Sequence, residues 1–468
     1  MTSSAPHLRS QQWFSGREEL AFQNRAALRA MGLNPDDFAG KPVIGIANSW
    51  SELNNCNANL RDLADAVKRG VLLEGGLPLE FPTISLGEEF MKPSAMLYRN
   101  LMAMDVEETL RANPINGVVL LCNCDKTTPA QLMAAASADL PAIQLNGGPR
   151  AIGHWRGETI GSGTDLWKYS DELRAGRLSQ SDWRELEASY GCGVGACNTM
   201  GTASTMASLS EALGMMLPGT ASIPATDSRR LQAATATGRR IVQMVHENLR
   251  PSRILTLAAF DNAIRALLAL GGSTNAVVHL IAIAGRRNIR LPLSRFDELS
   301  QSTPFLVNLA PSGKHLMDAF HAAGGLPAVM AELCGREALD EHVSCSASGS
   351  LTTALSQGER EKNILHLGCL TVTGKTLGEN IACARSFDRD VIRSRETPLL
   401  PGGSLAVLTG NLAPRGAVIK VSAASPKLMK HGGRAIVFRD YQDMLDRVND
   451  PALPVDADSV LVLQNAGP

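Results

Sequence analysis

The sequence predicts an α/β protein: a parallel sheet with helices on both faces, followed by a smaller, mainly β domain. Three observations predict it. Between residues 41 and about 330, short apolar, β-rich runs alternate with longer segments of helical period. Residues 344–358 hold five serines, two threonines and two glycines without periodicity, the composition of a linker or loop. Beyond residue 364 the apolar runs are short and strand-like. A chain of 468 residues has room for two or three domains.

The elements follow in order. Residues 42–47 (PVIGIA) read as a buried first strand, and Leu60, Leu63, Val67 and Val71 share one face of the helix after it. Residues 117–122 (GVVLLC) read as a second strand, followed by a helix from Pro129 and a third strand over 141–145. Strands separated by helices pair in parallel. Ligands of open parallel sheets bind beyond the carboxyl ends of the strands, which singles out the loops 48–57, 123–129 and 146–149. From 198 to 284 Met, Leu and Ala recur at helical spacing and read as core, with Gly271-Gly272-Ser273-Thr274-Asn275 opening the last helix. The runs 364–372, 404–408, 417–421, 435–438 and 459–463 read as strands of the second domain.

Composition excludes several function classes. Hydrophobic residues at 44% and charged residues at 19% belong to a globular chain rather than a disordered one or a coiled coil. Lys+Arg 45 against Asp+Glu 46 leaves no field to attract nucleic acid or an anionic membrane. The longest apolar runs, 117–122 and 254–260, are far shorter than a membrane span. The first ten residues contain no apolar h-region, so the expected compartment is the cytoplasm. Nine cysteines, odd in number and sparse, read as reduced thiols or metal ligands rather than a disulfide scaffold.

Chemistry concentrates in the strand-end loops. Cys124-Asp125-Lys126 crowds a thiol, a carboxylate and an amine into the turn after residues 117–122, although a surface turn with an incidental thiol reads the same way. Cys56 lies in the loop after the first strand, and Cys197 in the Gly-rich stretch 191–198. The three thiols could converge, yet no CxxC spacing joins them, and inert buried cysteines fit the spacing as well. Glu88 follows another strand-like run and reads either as a hard-cation ligand or as a solvated charge. Residues 191–196 lack the preceding strand of a dinucleotide fingerprint, and Lys126-Thr127-Thr128 lacks the glycine frame of a P-loop. The histidines are scattered, with no pair at i and i+4 for a zinc hydrolase.

Several long segments, in order, resemble the iron–sulfur dehydratase family that contains dihydroxy-acid dehydratase, phosphogluconate dehydratase and the aldonate dehydratases. They are Asn48-Ser49-Trp50-Ser51-Glu52-Leu53-Asn54-Asn55-Cys56-Asn57, Cys124-Asp125-Lys126-Thr127-Thr128-Pro129 and Ala196-Cys197-Asn198-Thr199-Met200-Gly201-Thr202-Ala203, supported by 271–276 and 410–416. Residues 84–105 and 160–164 look closest to the arabinonate and xylonate dehydratase branch. The resemblance divides the chain into an α/β cluster- and Mg-binding domain (1–333), a linker or insertion (334–363) and a β-rich, barrel-like and incomplete domain (364–468).

The resemblance implies a [2Fe-2S] (or [4Fe-4S]) cluster on Cys56, Cys124 and Cys197, and Mg²⁺ on Glu88, Asp125 and a carbamylated Lys126. A carbamate would replace a repelled ammonium with an anionic oxygen ligand of the type Mg²⁺ prefers. Three thiolates leave one iron position open for Lewis-acid work. The implied reaction removes water from a 2,3-dihydroxy acid to give a 2-keto-3-deoxy acid. Its substrate is a small sugar acid or dihydroxy acid, and its assembly a homodimer or homotetramer. Against the family pattern, the sequence ends at Pro468, before the segment expected to supply a further magnesium glutamate and the serine base. Two alternatives to the aldonate reading are therefore dihydroxy-acid dehydratase of branched-chain synthesis and a catalytically impaired, truncated homologue. A pure electron-transfer protein is a third, which would have no use for Glu88 or Lys126.

Overall fold

The computed structural model describes residues 8–15, 18–335 and 364–465; the expected linker lies, apart from its first two residues, outside them. At the centre is a four-stranded parallel sheet of β1 (Val43–Asn48), β2 (Leu77–Pro82), β3 (Gly117–Cys122) and β4 (Ala142–Asn146), in the order β2-β1-β3-β4. Its register pairs Ala47 with Phe81 and Leu120, and Leu121 with Leu145. β1, β3 and β4 are buried along their whole length, as the continuous apolar runs of a covered parallel sheet require.

Helix α1 (Leu60–Leu73) follows β1 and buries Leu60, Leu63, Val67 and Val71 on the face read from the sequence. It stops where Gly75 takes a left-handed φ of 84° and the Gly76 amide closes back on Val71 O at 2.9 Å. Helix α2 (Arg99–Ala112) follows β2, and α3 (Thr127–Ala138) follows β3. In α3 every side chain from Thr127 to Ala136 is buried, so it has no solvent face. Beyond the β5 (Gly153–Trp155) and β6 (Glu158–Ile160) hairpin come α4 (Thr164–Arg174) and α5 (Gln180–Tyr190), which form a small separate core of Trp155, Ile160, Tyr169 and Leu186.

The helical stretch expected after residue 198 comprises α6 (Thr202–Ala212), α7 (Ser228–His246), α8 (Leu257–Leu270) and α9 (Asn275–Arg286). α7 packs on α1 and against β3 and β4, whereas α3 packs with α2, α9 and the sheet. The α1–α7 crossing depends on two glycines: a Cβ on Gly70 would lie 2.0 Å from Thr235 O, and one on Gly238 2.2 Å from Val67 O. Among the described residues no helix is long and apolar enough to cross a membrane.

The C-terminal region forms two small sheets, an antiparallel pair β7 (Leu405–Leu408) and β8 (Ala417–Lys420) and a parallel pair β9 (Ala435–Phe438) and β10 (Val460–Leu463). Residues 364–372, read as a strand from their apolar run, run irregularly instead. Leu365, Leu367 and Val372 are buried in the same core as β1–β4. Apart from an isolated antiparallel bridge between Leu370 and Thr376, their backbone groups bond outside any sheet: Val372 N donates to Gly214 O at 2.7 Å, and His366 N to Asn262 Oδ1 at 2.8 Å.

Candidate functional site

The strand order reverses between β1 and β3: the chain leaves β1 for β2 on one side and returns to β3 on the other. At such a switch point the loops beyond the carboxyl ends diverge and leave a crevice. Cys56 lies beyond β1, on a short turn Asn55–Asn57, and Cys124 lies two residues beyond β3. The two loops are tied at three points. Ser49 Oγ donates to Leu121 O at 2.7 Å, Cys124 N to Asn57 Oδ1 at 2.9 Å, and Asn123 Nδ2 to Cys56 O at 2.7 Å.

A third loop enters from β4. Asn123 clamps it by donating to Gly148 O at 2.9 Å and accepting from Gly148 N at 3.0 Å. This loop then makes an isolated parallel bridge between Pro149 and Ala196, with Ala196 N donating to Gly148 O at 2.9 Å and Arg150 N to Ala196 O at 2.8 Å. That bridge brings Cys197, distant in sequence, within electrostatic reach of the Cys56 thiol. Cys56 and Cys124 are buried, and Cys197 is half-buried.

The thiols act on one another. The Cys56 thiol is pushed well above the ordinary range, first by its contact with Cys124, then by burial, and further by Cys197 and Glu89. Burial raises Cys197 as well, with Arg150 opposing and Asp125 and Glu89 reinforcing. These are thiols that resist ionising until a positive partner arrives. Among the described residues no three His, Cys, Asp or Glu side chains are gathered closely enough to hold a metal ion as they stand. In donor chemistry alone, thiols of this kind suit a soft, thiolate-bound centre.

Beside the thiols stands an oxygen-rich group. Lys126 Nζ lies 3.0 Å from Glu88 Oε1 and 3.5 Å from Asp125 Oδ2, with its side chain 4% exposed. Glu88 Oε1 also accepts from Ser94 Oγ at 3.2 Å and Ala95 N at 3.1 Å, which holds the carboxylate toward the lysine. Burial raises the Asp125 carboxyl above its usual range; Lys126 pulls it down and Glu88 pushes it up. The ammonium itself does not fit a hard cation, whereas the two carboxylates do and a carbamate on Lys126 would.

The structure thus brings Cys56 to Cys124 and Cys197, and Glu88 to Asp125 and Lys126. Sequence reading missed the residues that hold them. Asn123 is the clamp, Asn275 accepts from Lys126 Nζ at 3.4 Å, and Arg150 lies immediately past the loop 146–149 singled out above. His279, one turn beyond Asn275 on α9, is fully buried; its Nδ1 meets Arg99 Nη1 at 3.0 Å and its Nε2 has no hydrogen-bond partner. The spacing of four between Asn275 and His279 on a helix opening with Gly-Gly-Ser-Thr was the available signal.

A doubly covered parallel sheet, with thiols and carboxylates at the carboxyl ends of its switch-point strands, defines the class: an α/β protein with a ligand site of enzyme type at the switch point. Residues 41–354 match the family described as dihydroxy-acid/6-phosphogluconate dehydratase N-terminal, and residues 390–468 its C-terminal counterpart. The chain belongs to this dehydratase family, whose members are hydro-lyases. It is 49% identical over 461 residues to L-arabinonate dehydratase of Rhizobium leguminosarum bv. trifolii (strain WSM2304), covering 98% of this chain and 75% of that protein. It is likewise 49% identical to L-arabonate dehydratase of Azospirillum brasilense, over 100% of this chain and 76% of the relative. Identity to 6-deoxy-6-sulfo-D-gluconate dehydratase of Pseudomonas putida is 46%, over 98% and 75% of the two chains.

Proposed function

We propose that this protein dehydrates a sugar acid, an aldonate such as arabinonate or xylonate, to the 2-keto-3-deoxy acid, using an iron–sulfur cluster and Mg²⁺. The observation that carries the reading is the adjacency of a three-thiol group and a Glu88–Lys126–Asp125 group at one crevice. The names of the relatives above, all acting on sugar acids, support the substrate class.

In this reading Cys56, Cys124 and Cys197 hold a [2Fe-2S] cluster, and Glu88, Asp125 and carbamylated Lys126 hold Mg²⁺. When bound, the metals supply Lewis acidity at the departing hydroxyl and at the charge that develops beside the substrate carboxylate. The chain's own contribution is placement. Ser94 and the Ala95 amide fix Glu88, and Asn275 fixes the Lys126 head group. Asn57 and Asn123 set the distance between the Cys56 and Cys124 loops. Burial of Cys56 and Cys124 limits the access of water and oxidants to the centre.

Anaerobic reconstitution with iron, sulfide and Mg²⁺, followed by a panel of pentonates, hexonates and 2,3-dihydroxyisovalerate, tests the proposal through 2-keto acid formation. Turnover of aldonates in preference to 2,3-dihydroxyisovalerate is expected. Preference for the branched dihydroxy acid would move the assignment to the amino-acid branch. A chain that takes up no cluster, or forms no 2-keto acid when loaded, would overturn it.

A further inference from the structure

Arg150 is a buried cation with no part in the chemistry above. Its residue is 4% exposed, its Nη2 lies 2.6 Å from Glu89 Oε1 and 3.8 Å from Cys197 Sγ, and its Nε has no hydrogen-bond partner. The guanidinium carbon stands 5.2 Å from the centroid of the Tyr190 ring, and Tyr190 is itself anchored by accepting from Gly163 N at 2.8 Å. The other oxygen of Glu89 accepts from Asn55 Nδ2, on the residue before Cys56. Because Arg150 N donates to Ala196 O, the backbone that carries the guanidinium and the backbone that carries Cys197 are held in one register.

A buried guanidinium is costly unless its donors are used. Nη2 faces both Glu89 and the Cys197 sulfur, and Tyr190 covers a face of the group. A thiol is a weak acceptor at that distance, but a thiolate bound to iron carries charge and accepts strongly from a cation. Hydrogen bonds to cluster sulfurs and nearby charge are the protein's levers on cluster potential, and partners of the ligands govern how firmly the metal is kept.

We propose that Arg150, oriented by Glu89, is a positioning residue that donates to the Cys197 thiolate and sets the reduction potential and retention of the cluster. The inference rests on the reading that Cys56, Cys124 and Cys197 hold that cluster. Glu89 has the opposite sign: it draws the guanidinium and adds negative charge near the thiols.

The test reconstitutes the full chain as wild type, R150Q, R150K and E89Q. Iron per chain, visible absorbance, the midpoint of an EPR-monitored reductive titration and the rate of iron loss to a chelator are measured. R150Q should move the midpoint to more negative potential and release iron about 10-fold faster or more. R150K should fall between, because it keeps the charge and loses the planar fork. E89Q removes the negative charge but keeps an amide oxygen to accept from Arg150 and hold it in place; it tests the claim even if R150Q folds poorly, and should move the midpoint the other way. Unchanged midpoint and iron loss in a fully loaded R150Q, or shifts of the same sign in R150Q and E89Q, would overturn the inference. A wild-type chain that takes up no cluster would instead overturn the underlying assignment, and the inference with it.

Discussion

Lys126 Nζ rests 3.0 Å from Glu88 Oε1, an ion pair between the helix entrance after β3 and the loop after β2, with the lysine side chain only 4% exposed. A lysine placed this way is charge-compensated before any metal arrives, and the carboxylates that compensate it are the ones a hard cation would use. Carbamylation would change that contact from attraction to shared ligation.

E88Q keeps the shape of the side chain and removes its charge. In the reconstituted protein it should lower Mg²⁺-dependent dehydration by on the order of 10²-fold or more, in line with losing one stabiliser of developing charge. Cluster absorbance should persist. An E88Q protein with unimpaired Mg²⁺-dependent turnover would separate Glu88 from the magnesium site.

Asn123 touches three loops and is not a ligand. N123D replaces an amide that donates to Cys56 O and Gly148 O with a carboxylate that must face both carbonyls. A loss of about 1–3 kcal/mol for each buried group left unsatisfied is expected. Urea denaturation of the apo chain reads the destabilisation, and iron retention after reconstitution reads the loosening of the thiol group. Wild-type values for both would show that the loops are held by other means.

The α1–α7 crossing gives a test with opposite signs. G70A and G238A gain helix propensity of about 1 kcal/mol each yet force a Cβ into backbone at 2.0 Å and 2.2 Å, so net destabilisation of roughly 1–3 kcal/mol is expected. A Cβ on Gly285, on the exposed side of α9, would meet nothing within 4 Å, and G285A should be neutral or stabilising by about 0.5–1 kcal/mol. Equal melting temperatures for G70A and G285A would contradict the close approach.

Glu211 predicts a pH dependence. Burial raises its carboxyl to about 7, against the pull of the Gly219 and Ala221 amides and of Arg230. A native pKa above the unfolded value of 4.5 means that the native state holds the extra proton between those limits. The associated stability is therefore fully present below the unfolded pKa and is lost as pH rises through about 7. Urea midpoints should fall across that window in the wild type, and E211Q should flatten the fall. E211Q should also cost about 1–3 kcal/mol, because one of two backbone N–H groups, from Gly219 or Ala221, then faces an NH₂. Parallel pH profiles for the two proteins would assign the slope to other groups.

Much of the fold was legible because its signals are local. Residues 117–122 form β3 to the residue, and Leu60, Leu63, Val67 and Val71 line the buried face of α1, since an apolar period follows directly from strand and helix geometry. The run 364–372 misled for the same reason. Its apolar residues pack into or against the main core, and beyond the isolated Leu370–Thr376 bridge they have no strand to pair with, so burial alone does not make a strand. In the site, Cys56, Cys124, Glu88, Asp125 and Lys126 stood out by following strands; Glu89 and Arg150 carried no pattern of their own, and His279 only its spacing from Asn275.

What the order of residues determined alone was the three buried strands β1, β3 and β4, their parallel pairing and the loops in which chemistry had to lie, since short-range sterics and periodicity suffice for these; the half-exposed edge strand β2 (Leu77–Pro82) was not read as a strand. Only the tertiary structure decided that the Pro149–Ala196 bridge brings Cys197 within electrostatic reach of Cys56 and that Arg150 sits between Glu89 and a thiol. Such contacts depend on the path of long loops and the direction of single side chains, and no repeat along the chain encodes either.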